Sequence, residues 1–232
     1  LTDPSGPARR WSFVGPGGSE TPFGRLKIYQ EAADVTAAYP VLRQEITWTQ
    51  DSAGRWYAGT TLTKLDPGTA NERVSKTEIV RDSFGMVTTQ RVFDYGNLTT
   101  PKRTYTYTYT TIRDARLPTL AQVTEGGQTL TLASWGYDSF ELADAPGITC
   151  HNPAFGPGYA ARGLPTYFTA LGRPAEFRWY DIGGNVIRYA RNGSPTIDVT
   201  VNSSSQWTAP SLVLPNSNTN LADSYQWNQY LL

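Results

Sequence analysis

The stretch Arg103-Thr104-Tyr105-Thr106-Tyr107-Thr108-Tyr109-Thr110-Thr111-Ile112-Arg113 alternates Tyr and Thr with a period of two. Successive side chains of an extended chain point to opposite faces, whereas a helix brings residues three and four apart together, so this alternation reads as a strand. Aromatic and β-branched residues also fit a pleated, half-buried surface better than a helix. Tyr105, Tyr107 and Tyr109 then share one face of that strand.

The same period extends outward. Val41, Arg43, Glu45, Thr47 and Thr49 alternate with Leu42, Gln44, Ile46 and Trp48, and Trp56 to Leu65 resumes the pattern until Asp66-Pro67-Gly68 stops it. Arg73 to Arg81 and Met86 to Phe93 read as further strands, and Leu117 to Thr124 with Gln128 to Trp135 read as a hairpin about Glu125-Gly126-Gly127. Asp144 to Gly163 holds Asn152-Pro153 and Gly156-Pro157-Gly158 without periodicity, the signature of a long loop. The β pattern returns from Pro165 through Glu176 to Tyr180, Asn185 to Arg191 and Thr196 to Val201. It recurs in Ser224 to Leu232, where Tyr225, Trp227, Tyr230, Leu231 and Leu232 are expected to form a strand able to add to a neighbouring sheet. Tyr29 to Ala38, rich in Ala, is the one helix candidate, with a short strand or loop as the competing reading.

Composition agrees with an all-β chain. The 21 Gly and 16 Pro among 232 residues interrupt any long helix. The expected fold is all-β, with irregular strand-turn-strand repeats forming a large curved or spiralling antiparallel sheet, in one β-rich repeat domain over residues 1–232. Twenty basic against twenty acidic residues give no positive excess for a phosphate backbone, so nucleic acid is not an expected partner. No run approaches the roughly 20 apolar residues of a membrane-spanning helix. Lys occurs only at 27, 64, 76 and 102, and the Thr, Gly and Tyr content suits an extracellular or cell-surface protein. The amino end, Leu1-Thr2-Asp3-Pro4, has neither Met nor signal peptide and reads as a segment of a larger protein or an assembling subunit.

One turn recurs. Tyr180-Asp181-Ile182-Gly183-Gly184-Asn185 joins two β-rich stretches, with an Asp suited to bond the turn backbone and Gly and Asn suited to positive φ. Phe93-Asp94-Tyr95-Gly96-Asn97 is a copy one residue shorter. Asp and Gly stand three apart again at Asp3 and Gly6, Asp51 and Gly54, and Asp82 and Gly85.

The aromatic-Asp-x-x-Gly-Asn spacing, matched best by Tyr180, Asp181, Gly184 and Asn185, resembles the tyrosine-aspartate (YD) repeats of the Rhs family of bacterial proteins. The stretch from Trp48 to Asp94 also looks like the body of such proteins. The resemblance implies a spiralling sheet of strand-turn-strand units that closes, in larger members, into a shell around cargo, with roles in surface display and carbohydrate binding. The family's self-cleaving Asp-Pro-x-Gly-Leu element is not matched, because Pro7 follows Asp3-Pro4-Ser5-Gly6.

Convergent catalytic chemistry is sparse. Cys150 is the sole cysteine and His151 the sole histidine, so no internal disulfide and no multi-His metal site can form; neighbours in extended chain also point apart, a poor geometry for a Cys-His pair. Asp138 with Glu141 and Asp144, or Glu176 with Asp181, could supply a glycosidase pair, but turn and strand-face roles account for them equally. No cofactor or metal is expected. Asn97-Leu98-Thr99 and Asn202-Ser203-Ser204 match the glycosylation triplet. The expected function is therefore a non-catalytic, extracellular or surface structural β-repeat module whose partners are itself or adjacent repeats. The alternative is a carbohydrate-binding module in which Trp56, Tyr57, Tyr105, Tyr107 and Tyr109 stack on sugar rings.

Overall fold

The computed structural model describes residues 7–15, 22–33, 36–144, 154, 156–159, 161–194, 196–201, 207–213 and 221–222. Among these described residues fifteen strands follow one another: β1 (Ala8–Phe13), β2 (Leu26–Ala32), β3 (Leu42–Gln50), β4 (Trp56–Leu65), β5 (Arg73–Arg81), β6 (Val87–Phe93), β7 (Arg103–Ile112), β8 (Ala115–Glu125), β9 (Gln128–Tyr137), β10 (Pro165–Ala170), β11 (Glu176–Tyr180), β12 (Val186–Arg191), β13 (Thr196–Val201), β14 (Trp207–Val213) and β15 (Leu221–Ala222). Their hydrogen-bonded order is their chain order, an antiparallel meander without a crossover. Among the described residues there is no α-helix.

Among its described residues Tyr29 to Ala38 holds no helix, and the competing strand reading holds over residues 29–32. Leu26–Ala32 is a strand paired on one side with β1 and on the other with β3, so ladder bonds to both neighbours override the helical preference of the Ala-rich stretch that begins at Ala32. The region 144–163 carries no described strand; its residues 145–153, 155 and 160, which include Cys150 and His151, lie outside the described residues.

The chain divides into two compact units, one made of residues 1–107 and 122–130, the other of 108–121 and 131–232. In the first, register sets two faces. Glu45 lies opposite Leu62, Leu62 opposite Lys76, and Lys76 opposite Phe93. This face carries ion pairs Arg43–Glu45 at 2.8 Å, Lys64–Glu45 at 2.9 Å and Lys76–Glu78 at 2.8 Å. The buried Phe93 ring lies 3.9 Å beneath the Lys76 ammonium. On the other face Ile46, Thr61, Thr77 and Val92 stand in a row.

In the second unit the core is formed by Leu142, Tyr180 and Ile182, with Leu164 and Val186 packed against it. Aromatic pairs line the strands beside it: Trp135 with Phe168 at 5.7 Å, Tyr167 with Phe177 at 5.4 Å, and Phe140 stacked on Trp179 at 4.6 Å. Gly136 faces Tyr167, where a Cβ would stand 3.2 Å from the Tyr167 Cβ.

Candidate functional site

Among the described residues three connections carry the Asp-x-x-Gly spacing, and the structure gives them one geometry. At Asp51 the backbone N–H bonds Arg55 O at 3.0 Å, Gly54 N–H returns to Asp51 O at 2.9 Å, and Oδ1 accepts the amides of Ala53 and Arg55, both at 2.9 Å. Asp82 repeats this with Met86 O and Gly85 N–H, and its Oδ1 accepts the amides of Phe84 and Met86. Asp181 repeats it with Asn185 O and Gly184 N–H, and its Oδ1 accepts the Asn185 amide at 2.9 Å. The glycines adopt φ of +78°, +87° and +82°, in the left-handed region that a Cβ disfavours. Each Asp thereby satisfies turn amides that the ladder leaves unpaired. The Arg55 amide chiefly, aided by its guanidinium and by the Ala53 amide, holds the Asp51 carboxyl below the usual carboxylate range against the opposing effect of burial.

Asp94 makes a different turn. Its Oδ1 accepts the adjacent Tyr95 amide, Asn97 N–H bonds Asp94 O at 3.2 Å, and Gly96 N–H crosses to Val74 O at 3.1 Å. Asn97 Oδ1 in turn accepts Thr99 N–H and Oγ1–H and Thr100 N–H. The missing residue removes the amide that would return to the Asp carboxylate.

A second feature was hidden in the sequence. Four strand ends carry a large apolar residue followed by Asp: Leu65-Asp66, Phe93-Asp94, Tyr137-Asp138 and Tyr180-Asp181. Each corner is tied to a carbonyl at or near the start of the preceding strand. Asp66 N–H bonds Val41 O at 3.0 Å, and Gly96 N–H bonds Val74 O. The two tyrosines use their phenols instead: Tyr137 donates to Pro118 O at 2.8 Å and Tyr180 to Pro165 O at 2.9 Å. Both prolines sit in a Leu-Pro-Thr triplet, 117–119 and 164–166. That triplet, with the Tyr-Asp dipeptide at 137–138, was the available signal. Burial pushes both phenols above their ordinary pKa.

Two of the carboxylates considered for hydrolysis, Asp138 and Asp181, have other engagements. Asp138, at φ +50°, accepts Arg162 N–H and Gly163 N–H on Oδ2, at 3.0 and 2.7 Å, and Leu164 N–H on Oδ1 at 3.0 Å. Asp181 is buried and also accepts the Asn185 side-chain amide. Arg162 donates from Nη1 to Ile182 O, linking these two corners. Among the described residues no group of three or more His, Cys, Asp or Glu could hold a metal ion.

Trp56, Tyr57, Tyr105, Tyr107 and Tyr109 are all half-buried in their strands. The Arg81 guanidinium lies 5.5 Å from the Tyr57 ring, and that of Arg116 lies 5.6 Å from Tyr109. Tyr225, Trp227, Tyr230, Leu231 and Leu232 lie outside the described residues, as do Asp3, Gly6 and the triplet from Asn202.

No protein-family model matches the sequence, and no curated protein matches it. Among solved structures the chain is similar to one in the crystal structure of TcdB2-TccC3-Cdc42, at 12% identity and a TM-score of 0.37. That likeness covers 97% of this chain and 14% of the other, so this chain spans only a small part of that length.

Proposed function

We propose that this chain is a non-catalytic structural β-repeat module of the Rhs/YD kind, acting outside the cell or on its surface, whose sheet joins adjacent repeats or further copies of itself through strand edges. The observation that carries the reading is the shared hydrogen-bond pattern at Asp51, Asp82 and Asp181. A repeated turn whose polar groups are satisfied internally suits a scaffold. A general acid or base must instead present its carboxyl to a substrate proton, and Asp138 and Asp181 already accept backbone amides. The half-burial of the five Tyr and Trp residues favours packing over glycan stacking.

The test is the size of the purified chain across a concentration range by light scattering, followed by electron microscopy of the concentrated sample. Ordered polymers that vanish on deletion of residues 225–232, with the β circular dichroism kept, support edge-mediated assembly. A monomer at every concentration overturns it. A strong, selective signal on a glycan array would favour the carbohydrate-binding reading instead.

A further inference from the structure

We propose that Asp138 and Thr166 together form a register lock, which continues the sheet from β9 to β10 across the long excursion between them. Adjacent strands of a meander are usually joined by a few residues, and a short turn fixes their register by its own geometry. Here residues 138–164 separate the two strands, so the connection cannot set the register. A slip of one residue would send every side chain of β10 to the opposite face and break the pairing of Trp135 with Phe168.

The lock has two parts. Asp138 closes the neck of the excursion: its N–H bonds Leu164 O at 3.0 Å while its carboxylate takes the amides of Arg162, Gly163 and Leu164. The second part is the register shift between Pro165 and Tyr167, where Pro165 pairs with Tyr137 and Tyr167 with Gly136, leaving Thr166 as the extra residue. Thr166 is 2% exposed, the most buried of the described polar residues. Its hydroxyl oxygen accepts the Ser139 amide at 3.1 Å, and its hydroxyl is within reach of Gly136 O at 3.3 Å and Ser139 Oγ at 3.0 Å. The bulge therefore has a polar seat on β9 and its flank; the other hydroxyls of β10 are the Tyr167 phenol, carried at the far end of a ring too large for that seat, and Thr169, three positions on. Beyond the lock, Pro165 O receives the Tyr180 phenol, so the placement of β10 is passed on to β11.

Native-state hydrogen exchange on the full chain tests this. Asp138→Gly removes the carboxylate without opposing the positive φ, and Thr166→Val removes the hydroxyl at nearly constant volume. Each is expected to speed exchange about tenfold or more in the ladder amides of β9, β10 and β11, the size of one lost buried hydrogen bond, while β4 and β5 are unchanged. The double variant is expected to change less than the product of the two single effects, as for two parts of one device. Acceleration confined to residues 139 and 162–164 would make Asp138 and Thr166 local loop caps and overturn the proposal. If Asp138→Gly does not fold, Asp138→Asn keeps one acceptor oxygen and tolerance of positive φ, and the same comparison is read on it.

Discussion

The Arg55 guanidinium donates from Nη2 to the carbonyl oxygen of Ser83 at 2.6 Å, while its Nε bonds Asp51 at 2.8 Å. One side chain thus ties the turn that closes β3 and β4 to the turn that closes β5 and β6. Gly85 stands against it, with room for a Cβ only 3.3 Å from Nη2. The Asp51 and Asp82 turns each satisfy their own backbone, and Arg55 joins the one to the other.

Arg55 is half exposed, so its contribution to global stability is small, as for other surface pairs. Arg55→Ala is expected to leave the melting temperature nearly unchanged and to speed hydrogen exchange at the Gly85 amide, which reports the second turn. Arg55→Lys has one charged nitrogen and cannot make both contacts in the same fork geometry, so it should behave like Ala. Undisturbed exchange at Gly85 in both variants would show that the two turns are independent.

Acid should act through Asp51 and Glu125. Both carboxyls are held below their ordinary values in the folded chain: Asp51 chiefly by the Arg55 amide, and Glu125 by Arg103 first and then Lys102. The unfolded chain then binds protons more readily than the folded one, so the stabilisation is present above the unfolded pKa and is lost as pH falls through the folded pKa. Melting temperature is expected to decline as pH drops from about 5 toward 2, and Asp51→Asn should flatten part of that decline. A slope unaltered by the substitution would remove Asp51 from the account.

Much of this architecture could be read locally. Period-two alternation marked β3, β4 and β7 nearly to their ends, and the Asp-Gly spacing marked the turns at 51, 82 and 181, because both signals lie within a few residues. Gly126 and Gly127, both at positive φ, carry the two-residue connection of β8 and β9 as the sequence suggested. What escaped was non-local. Tyr137 and Pro118 are 19 residues apart, and Asp138 meets its amides 24 to 26 residues on, so nothing in a short window links them. The stretch from Tyr29 reads as either helix or strand for the same reason, since the partners of Leu26–Ala32 rather than Ala32 and the alanines after it decide its form.

Glycine substitutions separate backbone strain from lack of space. A Cβ at Gly184 would meet nothing within 4 Å, so Gly184→Ala should cost only the left-handed backbone penalty of about 1 kcal/mol. Gly59 has no positive φ, but a Cβ there would collide with Thr49 Oγ1 and stand 2.8 Å from the Thr49 Cβ beside the bulge at Trp48. Gly59→Ala should therefore cost about 1–3 kcal/mol through overpacking, and Thr49→Ala, which removes Oγ1 but keeps that Cβ, should restore only part of it. Urea denaturation of the three variants decides the matter; absence of rescue by Thr49→Ala would mean that the contact is relieved elsewhere.

Alkali should open the corners that Tyr137 and Tyr180 close. Burial raises both phenols, so in the folded chain each holds its proton more tightly than in the unfolded one. Their stabilisation is fully present below the unfolded pKa near 10 and is lost as pH rises through the higher folded values. Ionisation would also set a phenolate against a carbonyl oxygen, Pro118 O or Pro165 O, where a donor stood before. Tyr180→Phe keeps the ring in the core with Leu142 and Ile182 but leaves Pro165 O without that donor, an expected loss of about 1–2 kcal/mol at neutral pH. The same variant should lose less stability than the parent chain on passing from about pH 9 to pH 11, because one titrating group is gone. Phenolate absorbance at 295 nm, followed together with β circular dichroism, measures both; a parent and variant that lose stability in parallel would show that the Tyr180 phenol does not govern the alkaline transition.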